Sequence, residues 1–263
     1  MTWPVPIICL AHGSRHPQAD QAVVEIAERI AESTGVPAFA AFLDFHPATL
    51  ATVAHRVVAA GYTEAVVVPL LFTRAFHARH DVPAAIAEAA ESIDATSSAG
   101  LTLHLADGLG TGADMEELVA DFTARYLAEI TAGPANAESA VHAANAANAA
   151  SAGASIDKLA LYSVGSSQPG ANKAIAEFAE RVGARLNMRT TRSFVATGEH
   201  PGRDTNALLD FADERTVTVP LFVSPGLLWD RAKDRMPSGR TCTRHLGAAV
   251  APVVISRACC ALP

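Results

Sequence analysis

The sequence predicts an α/β protein of two domains, each a parallel sheet flanked by helices, with the second domain a copy of the first. Three observations predict it. Strand-length apolar runs alternate with helix-length amphipathic stripes through the first half, the order that builds parallel sheets. "HGSRHPQADQAVVEIAERI" at His12–Ile30 aligns without a gap with "VGSSQPGANKAIAEFAERV" at Val164–Val182, and "VVVPLLF" at Val66–Phe72 is echoed by "VTVPLFV" at Val217–Val223. Between the copies the composition collapses into Ala, Asn, Ser and Gly, as in "NAESAVHAANAANAASAGAS". Echoes set so far apart mean duplicated domains and not a solenoid of short units. A third echo pairs His46-Pro47 with His200-Pro201.

The elements follow in order. Strands are expected at Pro6–Ala11, Ala38–Leu43, Ala65–Leu71 and Leu101–Leu105. After the first, Ala19, Ala22, Val23, Ile26, Ala27 and Ile30 recur at three- and four-residue steps, and Gly35 stands where a helix stops. A second helix is expected from about Pro47, a residue suited to a first helical turn, through Leu50, Val53, Ala54, Val57 and Val58 to Gly61. Further helices are expected near Pro83–Ser92 and Asp114–Ile130. The Ala-rich stretch has too little apolar bulk to offset the entropy of ordering its backbone, and reads as a linker, although its alanines would also suit a helix. The expected division is a first domain at 1–131, a linker at 132–155 and a second domain at 156–263.

Half of the 263 residues are apolar and 18% are charged, which supports substantial cores. The net charge of −7 disfavours a nucleic-acid partner, because neutralising a phosphate backbone needs clustered cations. No apolar run approaches the roughly 20 residues of a membrane-spanning helix, and the first residues lack the basic and apolar regions of a secretory signal, so a cytoplasmic location is expected. Cys9, Cys242, Cys259 and Cys260 form neither a disulfide framework nor a C-x-x-C metal knuckle, and are expected to be reduced thiols.

The copies differ where chemistry would lie. His12, directly after the first strand, becomes Val164, and the gapless match from Pro69 and Pro220 carries His77 onto Leu228. Both histidines are thus dispensable to the fold, yet occur together in one copy, in loops leaving the C-terminal ends of strands where open α/β sheets place ligands. Neutral imidazoles there can ligate a first-row divalent metal or accept protons near neutral pH.

"HGSR" after the first strand, "FLDFHP" after the second and "PLLFTRAFHARHDVP" after the third resemble the class II chelatases, specifically the sirohydrochlorin chelatases of siroheme and cobalamin biosynthesis. The resemblance spans most of residues 5–130. It implies two tandem chelatase-like domains, the second degenerate, and a cleft between the halves where sirohydrochlorin receives Fe²⁺ or Co²⁺. Iron is slightly favoured, as siroheme is the more widespread product. No cofactor beyond the substrate metal is implied.

Carried across, the family's metal-handling histidines fall on His12 and His77. Asp44 matches the carboxylate placed after the second strand as a further ligand or proton acceptor. His46 is the competing candidate for that place, although the survival of His200 favours a structural role. Arg15, Arg74, Arg79 and His80 would meet the carboxylates of the macrocycle, arginine through its forked donors. Ser14 could bind substrate, but Ser166 persists in the second copy, so capping the following turn is the simpler reading. Two fused halves make a monomer sufficient.

Other readings stay open. A tetrapyrrole or metal carrier without insertion activity is the main alternative; a serine hydrolase is disfavoured by the lack of a G-x-S-x-G elbow. His55 and His104 read as structural. Gly13 and Gly165 fit a tight strand-to-helix turn. "ADGLGTGADM" at Ala106–Met115 reads as a strand-to-helix loop and lacks the G-x-G-x-x-G spacing of a nucleotide fingerprint.

Overall fold

The computed structural model of the chain describes residues 5–73, 80–96, 100–132, 155–166, 170–197 and 205–262. They fall into two compact units. One comprises Met1–Gly112, Val223–Gly226 and Gly247–Pro263; the other comprises Ala113–Phe222 and Leu227–Leu246.

The first unit is built on a parallel sheet of β1 (Ile7–Ala11), β2 (Ala38–Phe42), β3 (Glu64–Pro69) and β4 (Thr102–Leu105), in the order β2-β1-β3-β4. Every residue of β1 is buried, as a strand covered on both faces requires. One face packs Ile8, Leu10 and Val67 against Leu50, Val53 and Val57 of α2 (Leu50–Ala59) and Val82, Ala89 and Ile93 of α3 (Val82–Thr96). The other carries α1 (Ala19–Thr34), whose buried stripe is the six apolar positions that the sequence spacing picks out. Gly35 ends α1 in the left-handed conformation, φ 75°, with its N–H bonded to the Ala31 carbonyl. Cys9 lies wholly inside, and burial pushes its thiol up to about 12, which removes it from metal chemistry. All four cysteines are free thiols, Cys259 and Cys260 exposed.

The second unit repeats the topology with β5 (Lys158–Ser163), β6 (Thr190–Val195), β7 (Thr216–Pro220) and β8 (Thr241–Cys242), ordered β6-β5-β7-β8. On one face α6 (Thr205–Phe211) and α7 (Leu227–Asp234) bury Leu208 and Trp229 against Tyr162 and Phe194. On the other lie α4 (Ala113–Ala132) and α5 (Ala171–Arg185), fastened by Glu116, which accepts from Arg181 at 2.9 Å and Arg185 at 2.5 Å. The Arg185 and Arg181 guanidiniums hold this carboxyl below its ordinary range against the opposing effect of desolvation.

The compact units therefore differ from the contiguous division expected at 1–131, 132–155 and 156–263. Helix α4 follows β4 in the chain but packs in the second unit, while α8 (Ala251–Ala261), from the far end of the chain, packs on α1 and β3 of the first. An apolar stripe tells that a helix is buried but not which sheet it covers. Ala132, the first residue of the expected linker, is the last of α4; the linker from 133 to 154 lies outside the described residues.

The start of α2 is corrected. The helix begins at Leu50, not at Pro47, because Thr49 is its N-cap, Oγ1 accepting from the Thr52 N–H at 3.2 Å. Pro47 sits in a turn that folds back on β2, with the Phe42 N–H donating to the Ala48 carbonyl at 3.0 Å. No helix among the described residues is long and apolar enough to cross a membrane.

Candidate functional site

The strand order decides which loops can share chemistry. β1 lies between β2 and β3, and all three run parallel, so the chain leaves each at the same sheet edge. The order reverses between β1 and β3, the switch point at which open α/β sheets form a crevice. Pairing continues past the strands. The Leu43 N–H donates to the Ala11 carbonyl at 3.0 Å, the Asp44 N–H to the His12 carbonyl at 2.9 Å, and on the other side the Leu70 N–H to the Leu10 carbonyl at 2.9 Å. His12 and Asp44 are thus register neighbours at one lip, and the chain toward His77 starts beside them.

Gly13 makes that zipper possible. Its φ is 93°, and a Cβ there would stand 2.0 Å from the Asp44 carbonyl oxygen. The second unit repeats the device. Gly165, φ 85°, would place a Cβ 2.2 Å from the Thr197 carbonyl oxygen, and the Thr197 N–H donates to the Val164 carbonyl at 2.8 Å. The equivalence shows a further difference between the copies. Asp44 corresponds to Thr197, whose hydroxyl turns back to donate to the Val164 carbonyl at 2.7 Å. The positions of His12, Asp44 and His77 carry Val164, Thr197 and Leu228 in the copy, with Leu228 in the first turn of α7.

Around this lip, His12 is half-buried and Asp44 exposed. Arg15 lays its guanidinium carbon 4.8 Å from the ring centre of Phe45, and the His12 ring stacks on the same side chain at 6.4 Å and 22°. Phe45 adopts φ 62° and is 53% exposed. Neither composition nor spacing picks it out. The available signal is an aromatic directly after Asp44 where Gly198 follows Thr197 in the copy.

Other expected residues take supporting positions. Ser14 Oγ accepts from the His16 N–H at 3.1 Å, so it caps the turn before α1. His46 accepts the Ala48 N–H on Nδ1 at 3.0 Å, packs its ring 4.3 Å from that of Phe42, and turns Nε2 toward Asp20 at 3.7 Å. With one lone pair committed to the turn, His46 holds the entry to α2. His55 and His104 are likewise structural: the first joins Ser92 at 2.9 Å between α2 and α3, the second Glu64 at 2.9 Å across β4 and β3. His80 is exposed just ahead of α3. Arg74, His77 and Arg79 lie outside the described residues, and no cluster of three metal-ligating side chains occurs among those described. The loop from Ala106 to Gly112 is tied down by Arg257 of α8, which donates to the Gly108 and Leu109 carbonyls, each at 3.0 Å.

Known proteins share this fold. Residues 6–126 match the model of the CbiX family. A curated relative, the sirohydrochlorin cobaltochelatase of Saccharolobus solfataricus, is 32% identical over 77 residues, which cover 29% of this chain and 59% of the relative. The chain thus spans about three fifths of that relative's length. Among solved structures, SirB from Bacillus subtilis with Fe³⁺ matches at a TM-score of 0.67 and 19% identity, over 97% of this chain and 94% of that one. The sirohydrochlorin chelatase SirB from Bacillus subtilis subspecies spizizenii, in complex with cobalt, matches at 0.66 and 19% over the same shares. Likeness at such identity establishes the fold. The chain therefore carries a duplicated, two-domain chelatase-like fold, within which residues 6–126 are similar to the CbiX family.

Proposed function

We propose that the chain is a sirohydrochlorin chelatase that inserts Fe²⁺ or Co²⁺ at the C-terminal edge of the first unit's sheet, with iron the slightly favoured metal. The observation that carries this reading is the paired lip: His12 and Asp44 are backbone neighbours beside the chain that leads to His77, and the otherwise equivalent lip of the second unit keeps the geometry without these groups.

Insertion exchanges two pyrrolic N–H protons for a divalent ion that must shed its water. Imidazole nitrogens suit Fe²⁺ and Co²⁺, and avoid the tight thiolate binding that would retain the ion. In this reading His12 and His77 hold the incoming ion, and the Asp44 carboxylate lowers the net charge of the loaded site. As the ion passes to the four ring nitrogens, the displaced protons go to His12 or Asp44 and from there to water. Arg15, Arg74, Arg79 and His80 meet the carboxylate rim, giving an acidic protein a local cationic surface.

The experiment is insertion of each metal into sirohydrochlorin, followed by visible absorbance, for the wild type and for His77→Ala. The wild type accelerates insertion over the spontaneous rate, and His77→Ala loses most of that acceleration while unfolding as the wild type does. Binding of sirohydrochlorin without acceleration would instead identify a carrier.

A further inference from the structure

We propose that Phe45 is a binding residue for the macrocycle: its ring is the apolar platform on which the flat conjugated face rests, while Arg15, lying over the same ring, meets a carboxylate at the rim. The inference rests on the chelatase reading above.

Two features of Phe45 work against the fold. A bulky side chain at φ 62° is an outlier; Asn187, at φ 53°, is the other non-glycine residue with positive φ among those described, and asparagine tolerates that region. The ring is 53% exposed, so it forgoes most of the burial that would stabilise it inside. A lone exposed apolar side chain is ordinary, but one that also strains its backbone is not. Glycine would relieve both, and where Phe45 stands between Asp44 and His46, the copy that has lost His12, Asp44 and His77 has Gly198 and Glu199 between Thr197 and His200, with no aromatic. The aromatic thus goes with the histidines and not with the turn.

The surroundings indicate the ligand. The His12 ring lies at 22° to that of Phe45, so two nearly parallel aromatic faces flank the lip. Arg15 sits 4.8 Å over the Phe45 ring, which steadies the guanidinium by cation–π attraction and leaves its edge donors for an anion. A flat π-system with carboxylates on its rim matches both, and its metal-receiving centre would then lie toward His12.

The test uses the full chain and two variants, Phe45→Gly and Phe45→Trp, read by thermal unfolding, by visible titration with metal-free sirohydrochlorin and by cobalt-insertion kinetics. Phe45→Gly should unfold at the same or a higher temperature, bind sirohydrochlorin about tenfold more weakly and raise its KM in proportion, without changing the KM for Co²⁺. Phe45→Trp should recover most of the affinity. The platform is overturned if Phe45→Gly binds sirohydrochlorin as the wild type does, or loses affinity only in step with loss of folded protein. A wild type that fails to bind sirohydrochlorin overturns the chelatase reading and the platform together, a result distinct from a binding wild type indifferent to position 45.

Discussion

Gly13 and Asp44 approach so closely that a single methyl group on the glycine would stand 2.0 Å from the aspartate's carbonyl oxygen. Gly13→Ala must therefore part the two loops as well as strain a positive φ. It should cost roughly 3 kcal/mol or more in urea denaturation. Gly165→Ala meets the same obstacle at Thr197 and should cost a similar amount. Activity per folded molecule separates them: it falls in the first variant and persists in the second.

The second unit supplies the replacement that the first unit's backbone accepts. Val164 occupies the place of His12 with the same register bond from the next loop, so His12→Val should hold stability within about 0.5 kcal/mol of the wild type. Metal insertion should fall by roughly 10²–10⁴, the range of a lost proton-transfer group. Stopped-flow absorbance and thermal unfolding on one preparation check both halves of this expectation.

Asp44 and His46 compete for one role, and their contacts assign different outcomes. His46→Ala removes the acceptor for the Ala48 N–H and should cost about 1 kcal/mol of stability while insertion continues. Asp44→Asn keeps the side-chain shape and the backbone bond, so stability holds while insertion slows. A crossover, with His46→Ala inactive and fully stable, would reassign the third group.

Acid should weaken the second unit in a defined window. Asp213 is lowered to about 2, chiefly by its hydrogen bond from Lys158 at 2.8 Å, with Thr216 and the Arg215 N–H adding to it. A depressed carboxyl contributes fully above its unfolded value, near 4, and that contribution disappears as pH falls toward 2. Asp157, held low by Arg189 and Arg215, and Glu116, held low by Arg185 and Arg181, act in the same direction. Urea midpoints measured from pH 6 to pH 2 should decline across this window, and Asp213→Asn should flatten part of the decline.

The parts of this protein legible in its sequence are those that local chemistry dictates. The strands around Cys9 and Val67, the stripe from Ala19 to Ile30 and the stop at Gly35 follow from periodicity and from one residue's conformational freedom. His12 stands out because the chain contains its own comparison, Val164. Asp44 is reached in the sequence only through the resemblance of "FLDFHP", because a side chain two residues past a strand has no periodicity to mark it; the register adds Thr197 as its counterpart. Phe45 is not legible in the sequence for a related reason: composition counts it as core, and only its backbone angle and exposure show otherwise. At the start of α2 sequence and structure part, because Pro47 suits a helix's first turn, whereas the His46 and Thr49 acceptors settle the boundary locally.

The exchanged helices make the two lobes obligate companions during folding. A nascent chain that has emerged only as far as residue 132 would hold α4 with no sheet of its own to cover, and an α1 surface still awaiting a helix some 120 residues downstream. The second lobe is complete only once residue 246 has been made, and the first only once α8 has followed it. Gene doubling here has left each lobe drawing on residues beyond the midpoint of the sequence.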